Sequence, residues 1–326
     1  MMSTIAAALA LVLALLWLPA SAGADTVRIY THNDEKEMEA FVADLKAATG
    51  LDVQVLRMSS NELRARVVAE KGNIGADLQW GMPNSHALLA KQEGLLEPYR
   101  SKEWDAIPAR FKDPEGHWHG WSYWFNAIAV NTDILQKKGL PKPRTWADLL
   151  DPRWKGEIVM PNPGTSGTAY LVVATLIQLM GEDRAWDYLS RLDKNVAEYT
   201  KSGSAPAEQA GRGQYALAVT WDQAVISRKA KGYPLDLIIP EEGVGFDLDS
   251  VAIFKGTKNL AAAKKVVDYV GSERAMRVVA KHRSKVTRPG VEALVAFDPK
   301  LFPYDAARAG QDQDRVMLAW KTKFQK

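Results

Sequence analysis

A short apolar strand, a polar turn and an amphipathic helix follow one another three times in the first third of the chain. Residues 27–30 predict the first strand, and apolar residues then recur at helical spacing over residues 38–48 until Gly50 ends the helix. Further strands are predicted at residues 51–55 and 76–80, each followed by a helix. Such repetition predicts a doubly wound α/β sheet of parallel strands, in which ligands bind beyond the carboxyl ends of the strands.

The polar and small residues at these strand ends are candidate ligand contacts on position alone. Some of them also suit the caps of the helices that follow, which is a purely structural role. The candidates are Thr31, His32, Ser59, Ser60, Trp80 and Gly81.

The second half of the chain has its own strand, turn and helix units. Strands are predicted at residues 157–160, 216–220 and 235–239, and two extended runs near residues 126 and 250 look like crossings between lobes. We therefore predict an α/β fold of two doubly wound lobes joined by two crossing strands. The predicted boundaries are 1–24 for a signal peptide, 25–127 plus 251–326 for lobe 1, and 128–250 for lobe 2.

The amino terminus predicts export. Residues 5–18 are almost wholly apolar, and the small residues after them end in Ala22-Gly23-Ala24, an A-x-A-like cleavage site. The apolar stretch is shorter than a membrane-spanning helix needs, although the usual basic residues before it are missing. With cleavage near Ala24, we predict a periplasmic protein.

Composition and motifs exclude several classes of function. The chain has 326 residues and no cysteine, which excludes disulfides, thiolate metal sites and cysteine nucleophiles. Its formal net charge of +3 is too small and too dispersed to indicate nucleic-acid binding. No nucleophile and base pairing stands out, and the chain has no G-x-S-x-G elbow and no kinase motif set. We therefore predict a monomeric protein that is not an enzyme and needs no cofactor or metal.

The strongest local signal is the segment 161–170, which joins a predicted strand to a predicted helix. Its glycines let backbone N–H groups converge on one point, and the helix N-terminus adds positive potential. Its hydroxyl groups add donors that suit phosphate, phosphonate or carboxylate oxygens, although a plain capped turn has the same composition. The segment lacks the lysine of a nucleotide-binding P-loop. The candidate contacts are Gly164, Thr165, Ser166, Gly167 and Thr168.

Short motifs occur in a specific order along nearly the whole predicted mature chain. They include Tyr30-Thr31-His32-Asn33, Glu93-Gly94-Leu95-Leu96-Glu97, Thr145-Trp146-Ala147-Asp148-Leu149, the segment 161–170 and Ala252-Ile253-Phe254-Lys255-Gly256. In order and spacing they resemble the type II periplasmic solute-binding proteins of ABC transporters, in the branch of ferric-ion, organophosphate and phosphonate binders. The resemblance implies two lobes that close on a small ligand, and a membrane ABC permease as partner.

Within that family, the residues of this chain favour an anion over iron. Ferric binders present an adjacent tyrosine pair where this chain has Trp221-Asp222, and their acidic ligand after the third strand corresponds roughly to Met82. Thioether sulfur is a poor ligand for a hard cation. The resemblance to organophosphate binders implies instead that the segment 161–170 holds a phosphoryl group.

Asp222 has two interpretations. A carboxylate near a phosphoryl group repels it unless the ligand also carries an amine, which favours 2-aminoethylphosphonate. Alternatively, Asp222 caps the helix that starts at Gln223, and a sugar phosphate is then equally acceptable. Trp221 and Tyr123 can stack on a sugar or enclose an ammonium group, and Asn126 ends the same aromatic run as Tyr123.

We therefore predict an extracytoplasmic receptor for a small organophosphate or phosphonate, with 2-aminoethylphosphonate as the best candidate. The alternatives are a sugar-phosphate receptor, a ferric-ion or other metal receptor and a secreted phosphate-ester hydrolase. Two features have a plain surface interpretation: Lys281-His282-Arg283 is typical of a solvated helix end, and Asp249 is expected to face solvent.

Overall fold

The computed structural model describes residues 26–294 and 299–325, so the predicted signal peptide lies outside the described residues. In this part of the chain, no helix is both long enough and apolar enough to cross a membrane. The described residues form a mixed sheet that continues through both halves of the molecule.

Strands and helices alternate along most of the chain, as the repeated units predict. The strands are β1 (Val27–Thr31), β2 (Val53–Arg57), β3 (Leu78–Pro83), β4 (Leu96–Glu97), β5 (His119–Asn131), β6 (Ile158–Pro161), β7 (Val196–Thr200), β8 (Leu217–Trp221), β9 (Leu235–Ile238) and β10 (Phe246–Phe254). The helices are α1 (Glu35–Thr49), α2 (Ser60–Ala69), α3 (Asn84–Gln92), α4 (Thr132–Lys138), α5 (Gly167–Met180), α6 (Glu182–Leu192), α7 (Ala205–Gly211), α8 (Asp222–Lys229), α9 (Leu260–Gly271), α10 (Glu273–Val279) and α11 (Ala306–Phe324).

The order of the strands shows how the two lobes join. β2, β1 and β3 are parallel neighbours in lobe 1, and β8, β6 and β7 are parallel neighbours in lobe 2. Between them lie β10 and β5, so the order is β2-β1-β3-β10-β5-β8-β6-β7. β5 pairs with β10 through residues 119–125 and with β8 and β9 through residues 126–131, so one strand belongs to both lobes. The predicted two-lobed α/β fold with crossing strands is confirmed.

Each lobe has its own apolar core. In lobe 1, α1 packs Phe41 and Leu45 against β1, and Trp80 of β3 stacks on Phe41 with ring centres 5.8 Å apart. In lobe 2, α5 is apolar on nearly every face and is buried from Ala169 to Ile177. A helix of this kind is stable only where neighbours cover it, and β6 and α11 do so here.

The carboxy-terminal segment divides between the lobes. α9 and α10 pack into the core of lobe 1, and the boundary predicted from the sequence assigns residues 251–326 to that lobe. α11 departs from that boundary, because its apolar residues Ala309, Val316 and Trp320 join the core of lobe 2. The same helix also runs against α3 of lobe 1, so α11 contacts both lobes.

Asp247, near the start of β10, is a buried carboxyl group where the crossing strands meet. It accepts hydrogen bonds from Ser85 Oγ at 2.8 Å and from the N–H groups of Asn84 and Leu248 at 3.1 and 2.8 Å. Burial raises the pKa of Asp247 to about 7, although these donors oppose the rise. The group therefore keeps its proton to a higher pH in the folded protein than in the unfolded chain.

We expect the Asp247→Asn variant to lose part of the pH dependence of stability. A carboxyl group whose pKa rises on folding stabilises the fold fully below its ordinary pKa of 3.8, and this contribution disappears as the pH rises through about 7. In the wild-type protein this group should lower the free energy of unfolding by on the order of 2–3 kcal/mol between pH 5 and pH 8. Urea unfolding at both pH values measures the drop, and an equal drop in the variant contradicts the raised pKa.

Candidate functional site

A cavity lies between the lobes, at the carboxyl ends of β1, β2, β6, β7 and β8. The empty space between its walls is about 480 Å³, which includes open solvent. Both lobes contribute to the lining. The residues from lobe 1 are His32, Asn33, Asp34, Arg57, Ser59, Ser60 and Arg283. The crossing strand β5 and lobe 2 contribute Trp124, Ser166, Thr168, Ser202, Gly203, Ser204 and Trp221.

Within the described residues, five helix N-termini meet at this cavity. The N-cap residues of α1, α2, α5, α7 and α8 all line it: Asp34, Ser59, Ser166, Ser204 and Trp221. Backbone N–H groups in the first turn of a helix have no partner inside the helix, and the helix dipole adds positive potential there. This arrangement favours an anionic ligand.

Hydroxyl groups crowd the lobe 2 side of the cavity. A Cβ atom placed on Gly203 would lie 2.3 Å from Thr168 Oγ1 and 3.1 Å from Ser166 Oγ. The backbone after β7 therefore lies so close to both hydroxyl groups that only glycine fits at this position. Ser202 Oγ and Ser204 Oγ flank this glycine and lie 3.2 Å apart. We call Ser166, Thr168, Ser202 and Ser204 the hydroxyl wall.

The two lobes are in contact beside the cavity. Ser60 Oγ of α2 accepts a hydrogen bond from the N–H of Gly167 at 2.8 Å, and Asn61 Nδ2 donates to the carbonyl oxygen of Pro163 at 2.9 Å. Both bonds join α2 of lobe 1 to the β6–α5 connection of lobe 2. The structure therefore shows the lobes closed against each other at α2.

Arg283 is a buried cation of the site. Its side chain is 3% exposed, and its guanidinium group lies 5.3 and 5.1 Å from the ring centres of Trp121 and Trp221. The same group forms ion pairs with Glu37 at 2.9 Å and with Asp249 at 3.4 Å. Paired carboxylates and two indole rings thus replace the water that this cation loses on burial.

The surface interpretations of Arg283 and Asp249 were both wrong. After α10 the chain turns back onto β5, where Val286 bridges to Ser122, and this turn carries Arg283 inward. Asp249 is fully buried because β10 lies in the interior of the sheet, between β3 and β5. Its oxygens accept hydrogen bonds from Ser122 Oγ at 2.8 Å and from His32 Nε2 at 2.9 Å.

The buried charges around Arg283 shift the pKa values of their neighbours. Burial raises the pKa of Glu37 to about 7, and Arg283 opposes the rise. Burial also tends to raise the pKa of Asp249, but Arg283 and His32 hold it below its ordinary value. Asp249 is therefore ionised at neutral pH, so it accepts the hydrogen bond and Nε2 of His32 carries the proton. His32 in turn lines the cavity.

Six of the residues predicted from the sequence line the cavity: His32, Ser59, Ser60, Ser166, Thr168 and Trp221. The two candidates from β3, Trp80 and Gly81, do not line it. Trp80 is fully buried in the core of lobe 1. Gly81 has a φ of 92°, and its missing side chain leaves room for the amide group of Asn33. Thr31 is also buried, and its Oγ1 accepts a hydrogen bond from the N–H of Asn33 at 3.1 Å. These residues therefore hold Asn33, which does line the cavity.

Other candidates support the β6–α5 connection from behind. Thr165 Oγ1 donates to the carbonyl oxygen of Lys201 at 3.0 Å, which ties this connection to the segment after β7. Asn126 is fully buried, and its Nδ2 donates to the carbonyl oxygen of Thr168 at 3.1 Å. Gly164 is exposed, and Gly167 uses its N–H in the contact between the lobes.

Asp222 and Tyr123 are placed away from the cavity lining. Asp222 is the first residue of α8 and is fully buried, with its carboxylate accepting from the N–H of Phe125 at 3.3 Å and from Ser284 Oγ of lobe 1. Burial raises its pKa to about 6. Tyr123 is half-buried, and its ring stacks on Phe111 with centres 5.9 Å apart.

Sequence reasoning missed several lining residues, including Arg57, Trp124 and the segment 202–204. β7 has only a weak apolar pattern, so the sequence gives little indication of a strand at this position. The signal for the segment was nonetheless present: Ser202-Gly203-Ser204 precedes Ala205-Pro206, and proline in the first turn of a helix is typical of a helix start.

Comparison with known proteins places the chain in a family. Residues 82–309 match the family described as bacterial extracellular solute-binding protein. The chain belongs to this family. An uncharacterized protein of Haemophilus influenzae is 37% identical to it over 278 residues, which are 82% of this chain and 80% of that protein. A probable ABC transporter periplasmic-binding protein of Sinorhizobium fredii is 29% identical over 266 residues, which are 79% and 72% of the two chains.

Solved structures agree with this placement. The periplasmic binding protein AfuA from Actinobacillus pleuropneumoniae, with fructose-6-phosphate bound, has a TM-score of 0.86 and 33% identity over 92% of this chain and 98% of that one. Iron-bound HitA from Pseudomonas aeruginosa has a TM-score of 0.79 at 20% identity, over 92% and 99% of the chains, which shows a shared fold alone. The predicted resemblance to type II periplasmic binding proteins of ABC transporters is confirmed. Among residues 26–294 and 299–325 of this solute-binding protein, no group of three or more His, Asp or Glu side chains is placed to hold a metal ion.

Proposed function

We propose that this solute-binding protein captures a phosphorylated sugar in the cavity between its lobes and delivers it to a membrane ABC permease. The observation that carries the proposal is the meeting of several helix N-termini with the hydroxyl wall in one cavity. A phosphoryl group accepts hydrogen bonds through several oxygens at once, so it matches a wall of converging donors. AfuA, which shares the fold at 33% identity and has fructose-6-phosphate bound, supports the same class of ligand.

The donors of the hydroxyl wall suffice for useful affinity. A hydrogen bond to a charged group contributes about 1.5–3 kcal/mol, and micromolar binding needs about 8 kcal/mol. Four or five such bonds total about 6–15 kcal/mol before the entropic cost of binding, and this range includes the required value. Ser166, Thr168, Ser202 and Ser204 supply hydroxyl groups for them, and Arg57 adds a positive charge at the cavity.

Two indole rings supply apolar surface for the rest of the ligand. Trp124 and Trp221 both line the cavity and meet edge to face, with ring centres 6.2 Å apart. Aromatic walls with a few polar groups between them are typical of pockets for small organic molecules. His32 and Asn33 provide polar atoms beside these rings, which suits a ligand with hydroxyl groups.

A zwitterion such as 2-aminoethylphosphonate is the second candidate, and Asp34 is the observation that favours it. Asp34 is the one acid among the described lining residues, and its Oδ1 lies 3.6 Å from a terminal nitrogen of Arg57. An ammonium group of the ligand would compete with Arg57 for this carboxylate. The sequence argument for an amine rested on Asp222, whose carboxylate accepts hydrogen bonds from Phe125 and Ser284. We therefore rank the sugar phosphate above the aminophosphonate.

Titration calorimetry with fructose 6-phosphate, 2-aminoethylphosphonate, inorganic phosphate and ferric citrate separates these candidates. We expect micromolar binding of fructose 6-phosphate and weaker binding of inorganic phosphate, which lacks the part that contacts the indole rings. Tighter binding of 2-aminoethylphosphonate than of fructose 6-phosphate contradicts the sugar assignment. Binding of ferric citrate alone contradicts the phosphoryl site itself.

We expect the Arg57→Gln variant to bind fructose 6-phosphate about tenfold more weakly, because one charge-assisted hydrogen bond is lost. Arg57 Nε donates a hydrogen bond to the carbonyl oxygen of Asn33 at 3.2 Å, and the rest of the guanidinium group is partly exposed at the cavity. Calorimetry at low and at physiological salt measures the loss, which should be larger at low salt. Arg28→Gln, which removes an exposed cation of β1 that does not line the cavity, is the matched control. An equal loss in both variants contradicts a direct contact.

A further inference from the structure

The contacts between the lobes continue along α2, away from the ligand cavity. Ser60 and Asn61, in the first turn, contact lobe 2 directly, as described above. Glu62 Oε1 lies 2.9 Å from Nζ of Lys201, which follows β7 in lobe 2. The first turn of α2 is therefore attached to lobe 2 through three consecutive side chains.

One turn further along, α2 is attached to α11. The two terminal nitrogens of Arg64 donate to the two carboxylate oxygens of Asp314 at 2.6 and 3.0 Å. Gln313 Nε2 donates to Asn61 Oδ1 at 2.9 Å. The side chain of Arg64 is 20% exposed and that of Asp314 is 78% exposed, so water still reaches the carboxylate. All four residues lie outside the cavity lining.

α11 is anchored to lobe 2, so its bonds to α2 join the two lobes. The hydroxyl group of Tyr170 on α5 donates to the carbonyl oxygen of Ala309. Arg315 forms an ion pair with Glu182 of α6 at 2.6 Å, and Trp320 is buried in the core of lobe 2. α11 also packs against α3 of lobe 1. If α11 stays with lobe 2 when the lobes separate, a rotation about the crossing strands that moves α2 away from Gly167 also moves Arg64 away from Asp314.

We propose that Asn61, Arg64, Gln313 and Asp314 form a closure latch, which stabilises the closed arrangement of the lobes and raises ligand affinity without touching the ligand. The apparent affinity of a protein that closes on its ligand depends on how much of it reaches the closed state. Asn61 belongs to both sets of contacts, since it bonds to Pro163 beside the cavity and to Gln313 of α11. The affinity part of this proposal rests on the proposed function, whereas the closure part does not.

The chain contains no cysteine, so two introduced cysteines can carry spin labels without other reactive thiols. Lys36→Cys on α1 and Gln214→Cys after α7 place the labels at exposed positions, one on each lobe. In ligand-free protein we expect Arg64→Met and Asp314→Asn each to shift the distance distribution towards greater separation. Each variant should also weaken the binding of fructose 6-phosphate about threefold. The double variant should match the single ones, because both remove the same bond.

Arg308→Gln is the matched control, because it removes an exposed cation of the same helix whose pairing with Asp312 lies within α11. It should change neither the distances nor the affinity. Unchanged distances in the Arg64 and Asp314 variants overturn the latch, and so does an equal shift in the control. If the distances shift as expected but fructose 6-phosphate does not bind the wild-type protein, the ligand assignment fails and the latch stands.

Discussion

The Gly203→Ala variant is expected to bind fructose 6-phosphate about 100-fold more weakly than the wild-type protein, the equivalent of one or two charge-assisted hydrogen bonds. The added methyl group would lie 2.3 Å from Thr168 Oγ1 and 2.8 Å from Thr168 Cβ, so the hydroxyl group must leave its position. The methyl group also occupies space that the phosphoryl group of the ligand needs. Since rotation of the side chain leaves Cβ of Thr168 in place, the backbone must shift slightly as well, and the free energy of unfolding should fall by about 1–3 kcal/mol. Calorimetry and urea unfolding measure the two effects.

Gly164→Ala is the control for this experiment. Gly164 lies in the β6–α5 connection close to the same wall, but it is exposed and the only atom within 4 Å of an added Cβ is Asn162 Oδ1 at 3.2 Å. Its affinity should stay within about twofold of the wild-type value. Loss of binding in both glycine variants would mean that the whole connection, rather than the hydroxyl wall, is sensitive to substitution. An unaffected Gly203→Ala variant contradicts a phosphoryl group at this wall.

The Arg283→Met variant is expected to lose about 3–5 kcal/mol of stability at pH 8, because removing one partner of a buried ion pair leaves the other charge uncompensated. The carboxylates of Glu37 and Asp249 both depend on this cation. Without the cation the raised pKa of Glu37 rises further and the lowered pKa of Asp249 rises as well. A pKa that is higher in the folded protein than in the unfolded chain costs stability as the pH increases. Since Glu37, whose pKa is about 7, is already protonated at pH 5, the loss should be smaller there. Urea unfolding at both pH values tests this.

Two comparisons make the result specific. Arg277→Met removes an exposed arginine of α10 that pairs with Glu273, and it should cost less than about 1 kcal/mol at either pH. Arg283→Lys keeps the charge and loses the planar group between the indole rings of Trp121 and Trp221, so it should cost less than the methionine variant. A loss in Arg283→Met that is the same at pH 5 and pH 8 contradicts the electrostatic explanation and leaves lost packing as the cause.

Much of the fold was predictable because its signals are local. The spacing of apolar residues in α1 and the alternation of strands and helices determine the sheet in lobe 1, and the extended runs near residues 126 and 250 correspond to the crossing strands β5 and β10. The position of α11 was not predictable in this way. Its apolar face shows that it packs on something, but only the path of the chain decides which lobe it joins.

In the candidate site, too, some residues are predictable from local sequence and others depend on distant partners. Residues at the ends of strands, such as His32, Ser59 and Ser166, were predictable because the doubly wound topology brings strand ends together. Arg283 follows a helix in a basic stretch and resembles a surface residue, and only its partners 34 to 246 positions away explain its burial. Trp80 shows the converse: an aromatic residue near a strand end looks like a ligand contact until the packing of α1 against it is known.

The central claim, that the hydroxyl wall holds the phosphoryl group of a sugar phosphate, is tested most directly by a crystal structure with fructose 6-phosphate bound. We expect phosphoryl oxygens within about 3 Å of Thr168 Oγ1 and Ser166 Oγ, with the sugar ring beside Trp221 and the lobes closed. A phosphoryl group on the opposite side of the cavity, or a ligand outside it, would contradict the claim.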